Sequence, residues 1–315
     1  MHSATIFNRI LRKSTLFRSR SIKTCAATYS THSLNDVVIV SAVRTPIGSF
    51  QKSLSSLTSI DLGAIAVRAA LKAIPPSSIQ DVVFGTVLSA NAGQAPARQI
   101  ALRAGLDTHA EATTVNKAGA FADEVVPVTV QGRKGDTVVA EDEEFKNMDA
   151  AKIASLRSAF QKNGTVTAAN SSKISDGASA VVLMTEQKAK EMGVRPLARI
   201  VSFADAATTP REFTVAPSLA IPIALQRAGL GTADVALWEI NEAFSVVVRA
   251  NEKILGLDPH KVNVRGGAVA LGHPIGSSGC RILVTLVHAL KSGQFGCAAI
   301  CNGGGAATAM VIQRL

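Results

Sequence analysis

Two residues near the C-terminal end, His273 and Cys301, stand in glycine-rich settings that suit chemistry at a carbonyl carbon. His273 precedes a proline in the segment 263–279, which carries five glycines. Glycine lets a backbone approach a ligand closely and leaves an imidazole uncrowded. Cys301 is followed by Asn302 and three glycines, whose N–H groups can point at an oxyanion. A cysteine beside a histidine can be held as a thiolate or can exchange protons, so the pair suggests acyl or carbonyl chemistry.

A third cluster, Asn-Glu-Ala-Phe at 241–244, follows the apolar run 235–240. Because α/β sheets place ligand-contacting side chains at the ends of their strands, Asn241 is a candidate site residue. Each candidate has a structural alternative. Asn241 could cap the next helix, His273 could be a satisfied structural residue, and Cys301 could be an inert small hydrophobe. The glycine-rich surroundings favour function for His273.

Short β-branched runs alternate with segments of helical periodicity along the chain. Such alternation is typical of βαβ units and predicts an α/β fold. Strands are predicted at 36–42, 81–88, 198–204 and 235–240, with two more ending at 312. Helices are predicted at 60–73, 97–104, 219–228 and 278–291, with a further helix that reaches about 255.

The order of these elements suggests an internal duplication. The first strands, first helices and second strands of the two halves correspond in order, and Val-Asn-Lys at 115–117 matches Val-Asn-Val at 262–264. The second half then continues with the glycine-rich loop, a long apolar helix and two strands. The first half instead runs from Ala118 towards a polar stretch rich in Lys, Asp and Glu. If the halves are duplicates, the first has lost its last helix and strands.

Composition excludes several classes of protein. With 47% hydrophobic and 18% charged residues among 315, the chain can bury a sizeable core and lacks the signature of disorder. One Trp and one Tyr argue against a nucleic-acid reader that stacks bases on aromatic rings. No run of apolar residues is long enough to predict a membrane span. The four cysteines have no metal-type spacing, and a disulfide framework is not expected.

The formal net charge of +10 is concentrated near the N-terminus. Residues 1–33 contain six Lys or Arg residues and no Asp or Glu, with apolar residues at roughly helical spacing among them. This pattern is typical of a mitochondrial transit peptide, and a disordered basic tail is the alternative. The protein is therefore predicted to reside in the mitochondrial matrix. The C-terminal Gln-Arg-Leu does not match the peroxisomal Ser-Lys-Leu signal.

Five motifs, in chain order, are similar to signatures of the thiolase family. They are RTPIG at 44–48, GQAPARQ at 93–99, the 241–244 cluster, GGAVALGHPIGSSG at 266–279 and CNGGGAATAMVI at 301–312. The resemblance covers residues 33–315, and the segment 165–175 is most similar to the mitochondrial members that act on acetoacetyl-CoA. It implies duplicated βαβαβαββ halves in α-β-α-β-α layers, with the first half incomplete. The implied divisions are a transit peptide at 1–33, a truncated N-terminal half at 34–185 that lacks most of its loop domain, and a C-terminal half at 186–315.

The resemblance also implies an acyltransferase activity and a role for each site residue. Two acetyl-CoA molecules would give acetoacetyl-CoA and CoA, or CoA would cleave the 3-ketoacyl thioester. His273 would activate the nucleophile and help to bind a thioester oxygen, and Cys301 would remove or return the α-carbon proton. Asn241 would hold the water of one oxyanion hole, and the Gly303 N–H would serve the other.

Binding residues follow from the same resemblance. Lys152 and Ser172 match family positions that contact CoA. A potassium ion would be held by backbone carbonyl oxygens, which suit a hard cation, at Ala168, Ala169, Ser171 and Val269. The expected partners are CoA thioesters and further subunits of a homotetramer, with no nucleic acid and no membrane.

The chain departs from the family after Lys117. There thiolases continue with Val-Cys-Ala-Ser-Gly, in which the Cys lies at the N-terminus of a buried helix that lowers its pKa. This chain has Ala118 and Gly119 instead, and the junction omits on the order of a hundred residues, the size of a small domain. Thiolase activity is therefore expected to be negligible, and folding or assembly to be impaired. The alternative is a non-catalytic isoform or gene-model product that acts as an interfering subunit or CoA binder.

Overall fold

The computed structural model describes residues 36–86, 92, 95–107, 110–115, 124–132, 135–147 and 149–315. The predicted transit peptide, residues 93–94 of the second motif and the junction of Lys117 with Ala118 lie outside these described residues. No helix in the described ranges combines the length and the apolar character needed to cross a membrane.

The first half begins with a strand and a helix, as the sequence predicts. The helix α1 starts with a capping box, because the Thr58 hydroxyl accepts a hydrogen bond from the Asp61 N–H and the Asp61 carboxylate accepts one from the Thr58 N–H. The helices of this half are α1 (Ser59–Ala70) and α2 (Pro96–Arg103). Its strands are β1 (Val37–Arg44), β2 (Gly48–Ser49), β3 (Asp81–Gly85), β4 (Glu111–Val115), β5 (Val128–Val130), β6 (Thr137–Val139), β7 (Ser175–Asp176) and β8 (Ser179–Thr185).

The second half contains the predicted strands and helices with small shifts of their ends. Two of its helices end at glycines in the left-handed region, Gly229 with φ +69° and Gly256 with φ +65°, where glycine has no steric penalty. The helices are α3 (Glu186–Glu191), α4 (Pro217–Ala228), α5 (Ser245–Leu255), α6 (Ala268–Leu271) and α7 (Ser278–Ala289). The strands are β9 (Ala198–Ala207), β10 (Val235–Ile240), β11 (Phe295–Cys301) and β12 (Ala306–Arg314).

A six-stranded mixed sheet joins the two halves in the order β10-β11-β12-β9-β1-β8. Among the described strands of this sheet, only β10 and β11 pair in parallel, and the two halves meet through a short antiparallel pairing of β1 with β9. Two-stranded sheets are formed by β2 with β7, β3 with β4, and β5 with β6. The mixed α/β class predicted from the sequence is confirmed.

Helices cover both faces of this sheet, since alternate residues of a strand point to opposite sides. On β11, Cys297, Ala299 and Cys301 pack in a core with residues of α4 and α5. Ala298 and Ile300 face the other way and pack against α7. The ends of β10 and β11 are therefore held firmly between helices.

Strand pairing repeats between the halves up to a point. β8 pairs antiparallel with β1, as β12 pairs antiparallel with β9. β10 joins the six-stranded sheet by pairing with β11, whereas β3 pairs in parallel with β4 in a separate two-stranded sheet. Among the described residues, no strand lies between β3 and β8 in the way that β11 lies between β10 and β12. This arrangement is consistent with an incomplete first half.

Candidate functional site

Asn241 lies directly after the last residue of β10, at the edge of the sheet where β10 and β11 end. Its N–H donates to the Ala299 carbonyl at 2.9 Å, which continues the pairing of these strands by one residue. The side chain is fully buried, and no group among the described residues forms a hydrogen bond with its Oδ1. A buried acceptor without a partner costs free energy unless a water or ligand donates to it. Asn241 is therefore suited to hold a water or a substrate group.

The backbone around His273 is set by close contacts that only glycine permits. Gly272 has φ +106°, and a Cβ there would lie 2.2 Å from the Ser175 hydroxyl oxygen. The His273 N–H then donates to the Lys173 carbonyl at 2.8 Å. The glycine recognised in the sequence thus lets the histidine loop lie against the segment that precedes β7.

The His273 ring is held between two side chains. Its Nδ1 lies 2.5 Å from the Ser278 hydroxyl, and its Nε2 lies 3.4 Å from Nδ2 of Asn241. The Ser278 hydroxyl also lies 3.4 Å from the Pro274 carbonyl, to which it can donate while it accepts from Nδ1–H. The Asn241 amide donates, so Nε2 is the acceptor. We infer that the neutral ring carries its proton on Nδ1.

Burial, and then the nearby Arg281 guanidinium, lower the pKa of His273 to about 4. Both causes disfavour the charged imidazolium, the first through desolvation and the second through repulsion. The ring is therefore neutral at physiological pH, and Nε2 can accept a proton from a group in the site. This is the state that a general base requires.

Cys301 ends β11 at the same edge of the sheet as Asn241. The parallel register pairs Ile240 with Ala299, so Asn241 and Cys301 follow on neighbouring strands, which lie about 5 Å apart in a sheet. The Cys301 side chain is buried in the core between β11 and the helices α4 and α5. The backbone of Cys301 therefore lies at the strand end beside Asn241, and its thiol packs on the face covered by α4 and α5.

The loop after Cys301 leaves one backbone donor free. The Asn302 carboxamide accepts from the N–H groups of Gly304 and Ala306, and the Asn302 carbonyl accepts from Gly305. Among the described residues, nothing accepts a hydrogen bond from the Gly303 N–H. A free N–H in a turn fixed by its neighbours is a suitable donor for an oxyanion.

Glu242 and Asn263 support the site, and sequence reasoning gave neither of them this role. The Glu242 carboxylate accepts from Asn263 Nδ2 and from the Val269 N–H, each at 3.0 Å. The Asn263 side chain also exchanges two 2.8 Å hydrogen bonds with the backbone of Ile240. These contacts connect the histidine loop to the end of β10. Their signal in the sequence is an acidic residue beside Asn241 and an Asn at the start of the glycine-rich segment.

Ser278 was also missed as a site residue. It lies five residues after His273, at the first position of α7, and it is fully buried. A serine at the start of a helix usually caps that helix, so the sequence alone indicates a structural role for Ser278. Here its hydroxyl contacts the imidazole instead.

The two predicted CoA-binding residues differ in their surroundings. Ser172 is half-buried, and its hydroxyl donates to the Ala243 carbonyl at 2.8 Å, so it lies beside the 241–244 segment. Lys152 is exposed and forms an ion pair with Asp149 at 2.9 Å. The structure brings Ser172 next to the candidate site and leaves the Lys152 ammonium at the surface.

The predicted potassium ligands lie on two segments of the chain, and both segments contact the 241–244 cluster. Ser171 bridges to Phe244, and Val269 donates to Glu242. Within the described part of the chain, the carbonyls of Ala168 and Ala169 accept no hydrogen bond. Carbonyl oxygens left without donors are the ligand type that a hard cation prefers, so this segment fits such an ion.

Comparison with protein-family models gives matches in both halves. The model for the thiolase C-terminal domain matches residues 194–314. The model for the thiolase N-terminal domain matches in two pieces, 37–120 and 108–187. The two pieces meet within 108–120, where the junction of Lys117 and Ala118 lies.

Curated relatives align with nearly the whole chain. An acetyl-CoA acetyltransferase of Yarrowia lipolytica is 43% identical over 386 positions, covering 90% of this chain and 97% of the relative. A mitochondrial acetyl-CoA acetyltransferase of Bos taurus is 41% identical, covering 97% of this chain and 99% of the relative. Ninety per cent of 315 residues supplies about 284 of the 386 positions, so about 100 positions of the Yarrowia relative have no counterpart here.

Solved structures give the same family. A thiolase from Ascaris suum in complex with coenzyme A is 37% identical, with a TM-score of 0.84 over 89% of this chain and 100% of that chain. An acetyl-CoA acetyltransferase from Syntrophomonas wolfei is 26% identical, with a TM-score of 0.85 over 89% of this chain and 100% of that chain.

Proposed function

The chain belongs to the thiolase family, and on that premise we propose that it carries the proton-transfer half of an acetyl-CoA acetyltransferase site without the acyl-accepting half. The family reaction joins two acetyl-CoA molecules to acetoacetyl-CoA and CoA, or runs in reverse. The observation that carries the proposal is a neutral His273 beside Asn241 at the strand end that bears Cys301, in a chain whose first half has no cysteine after Cys25.

The retained groups suit movement of a proton at the carbon next to a thioester carbonyl. As a thiolate, Cys301 takes the α-proton and becomes the neutral thiol, and the electron pair of the broken C–H bond places negative charge on the thioester oxygen. A water held by Asn241 stabilises that oxygen in one position, and the Gly303 N–H serves a second oxygen, while the unprotonated Nε2 of His273 accepts a proton in the site. Donors that are already oriented stabilise developing charge without reorganisation.

The missing function is covalent capture of the acyl group, which divides a difficult step into two easier ones. No other cysteine is suited to replace the nucleophile. Burial raises the pKa of Cys280 and of Cys297 to about 12, and for Cys280 a neighbouring Glu124 adds to the shift. Only the thiolate is nucleophilic, so both thiols are inert at neutral pH. Condensation and cleavage are therefore negligible in this chain.

Ligands of the proposed site follow from the residues beside it. Ser172 and Lys152 contact CoA, for which Lys152 exchanges its surface ion pair for a phosphate. The carbonyls of Ala168, Ala169, Ser171 and Val269 hold a potassium ion. That ion would supply charge and order to the loop between Ser172 and the histidine segment, with no part in bond making.

The chain is proposed to share the location and the assembly of its family. The mitochondrial relatives and the basic leader 1–33 support a place in the mitochondrial matrix. The mature chain then consists of an incomplete N-terminal half, 34–185, and a C-terminal half, 186–315. A homotetramer is the proposed assembly. The non-catalytic alternative, an interfering subunit or CoA binder, is favoured by the absence of the acyl carrier.

Turnover of acetoacetyl-CoA with CoA tests the proposal. The purified chain and the Bos taurus relative are assayed side by side, after circular dichroism has shown that both are folded. Because the covalent step is lost, we expect a rate at least about 10⁴-fold lower for this chain. Intact-mass measurement after incubation with acetyl-CoA should show no acetyl group on the protein. Turnover within tenfold of the relative, or a stable acetyl adduct, would overturn the proposal.

A further inference from the structure

A cavity of about 1060 Å³ lies between β3 and β8. We call it the open cleft and define its walls by Leu71, Val83, Phe84, Leu183, Met184 and Ile275. Its lining also includes residues 273–277, so the cleft reaches the candidate site at His273. Large apolar side chains are unusually exposed along it, with Val83 64% and Leu183 48% accessible. Such side chains on strands normally lie under a packed neighbour.

Each of the two strands that line the open cleft has one paired edge and one free edge. β8 pairs with β1, and β3 pairs with β4. Among the described residues, no other strand pairs with either. A free edge presents a row of N–H and C=O groups that can pair with another strand.

The internal repeat identifies which edges are free and what would fill them. In the second half, β10 has a bridge from Trp238 to Val262 on one side and β11 on the other. β4 ends at Val115, the counterpart of Val262, so β4 occupies the Val262 side of β3. The edge of β3 that corresponds to β11 is therefore the open one. β8 corresponds to β12, which pairs with β9 at one edge and with β11 at the other. β8 pairs with β1, the counterpart of β9, and among the described residues it has no counterpart of β11.

We propose that the open cleft is an acceptor site for an extended polypeptide segment that pairs parallel to β3 and antiparallel to β8, supplied by another chain of the same family. The two directions are those in which β11 meets β10 and β12. Main-chain hydrogen bonds to the two edges provide the affinity. Alternate side chains of the incoming segment cover Val83 and Leu183.

The length of the relatives indicates which segment would occupy the cleft. About 100 positions of the Yarrowia relative have no counterpart in this chain, and the N-terminal family match divides within 108–120. The division falls directly after β4, where the second half goes on to form α7 and β11. A segment inserted at this point is the one whose strand corresponds to β11. The cleft is therefore complementary to the segment that the relatives carry and this chain lacks.

Binding of that segment in trans tests the inference. The probe is the stretch of the Bos taurus relative that has no counterpart in this chain, made as a separate, fluorescently labelled polypeptide. The full chain is titrated into the probe, and anisotropy is recorded. We expect one probe per chain with a Kd below about 10 μM, a modest affinity for an interaction of this kind. Hydrogen exchange should slow at the amides of β3 and β8.

Matched variants decide whether the cleft is the site. The double variant Val83→Lys, Leu183→Lys places two charges at the proposed contact and should weaken binding at least tenfold. The control is Phe203→Lys, which alters a similarly exposed apolar residue of β9, 57% accessible, outside the cleft. Equal thermal stability shows that the variants are folded.

Three outcomes would overturn the inference. They are no binding at about 100 μM, equal binding to the double variant, and exchange protection confined to other strands. A fourth is binding of a small apolar dye in the cleft while the segment fails to bind, which would identify a ligand cavity instead. Every readout is binding or exchange, so the result is independent of whether the chain turns over thioesters.

Discussion

The imidazole Nδ1 of His273 lies 2.5 Å from the hydroxyl of Ser278, the buried first residue of α7. This contact orients the ring so that Nε2 faces Asn241. The start of one helix therefore determines which nitrogen of the histidine is available in the site.

Replacement of Ser278 with Ala should release this tautomer. In the unchanged chain at pH 7, long-range ¹H–¹⁵N spectra should show a protonated Nδ1 and an unprotonated Nε2. In Ser278→Ala, we expect the two tautomers to be mixed, because Nδ1–H has lost its acceptor. Ser277→Ala is the control, since Ser277 is also buried but its hydroxyl lies near Ser179. An unchanged spectrum in Ser278→Ala would contradict the assignment.

Glu239 should make the protein less stable as pH rises. Burial raises the pKa of this carboxyl to about 8 from 4.5, so the folded state keeps a proton that the unfolded state loses. Its contribution to stability is complete below pH 4.5 and is lost progressively as pH rises towards 8. Glu239→Gln should reduce the loss of stability between pH 5 and 8, as measured by urea unfolding, and the remaining loss should come from Glu124, whose pKa burial raises to about 9. Glu191→Gln, at the surface, should leave it unchanged.

Gly272→Ala should disturb the histidine loop. The φ of +106° disfavours alanine by about 1 kcal/mol, and the clash with Ser175 adds about 1–3 kcal/mol. Gly293→Ala is a matched control, because its φ is +84° but no atom of the described residues lies within 4 Å of the added Cβ. Urea unfolding should show a loss about two or three times larger for Gly272→Ala. Equal losses would mean that the close contact with Ser175 has no energetic effect.

Glu242→Gln should loosen the segment that carries Val269. The carboxylate accepts from both Asn263 and the Val269 N–H, whereas an amide offers one oxygen and one NH₂ group. Loss of one acceptor costs about 1–2 kcal/mol, which corresponds to exchange of the Val269 amide about tenfold faster. Glu252→Gln, which alters a buried carboxylate paired with Arg249, should leave that amide unaffected.

Cys301 should exchange the α-protons of acetyl-CoA in heavy water without net condensation. This expectation rests on the proposed half-site, in which the proton carrier is present and the acyl carrier is not. Cys301→Ala should lower deuterium incorporation at least about 100-fold, the usual contribution of a general acid or base. Cys297→Ala, four residues earlier on the same face of β11, should retain it. Incorporation that persists in Cys301→Ala would assign the proton transfer to another group.

The fold of the second half could be read closely from the sequence. α7 was predicted at 278–291 and is observed at Ser278–Ala289, and β10 was predicted at its observed bounds. Local periodicity, turn glycines and short connections determine such elements. The pairing of β1 with β9, which joins the halves in one sheet, was not predicted. It depends on contacts between residues about 160 positions apart, as Ile39 with Ala198.

The sequence by itself determined the chemistry-bearing residues, the repeat and its interruption, because residue types, spacing and order are properties of the chain. It placed His273, Cys301 and Asn241 in settings that suit function. Only the tertiary structure decided that Ser278 and Asn241 hold the His273 ring, that burial keeps it neutral, and that Glu242 secures the loop. Hydrogen bonds across distant segments and the exclusion of water from a buried group arise only when the chain is packed.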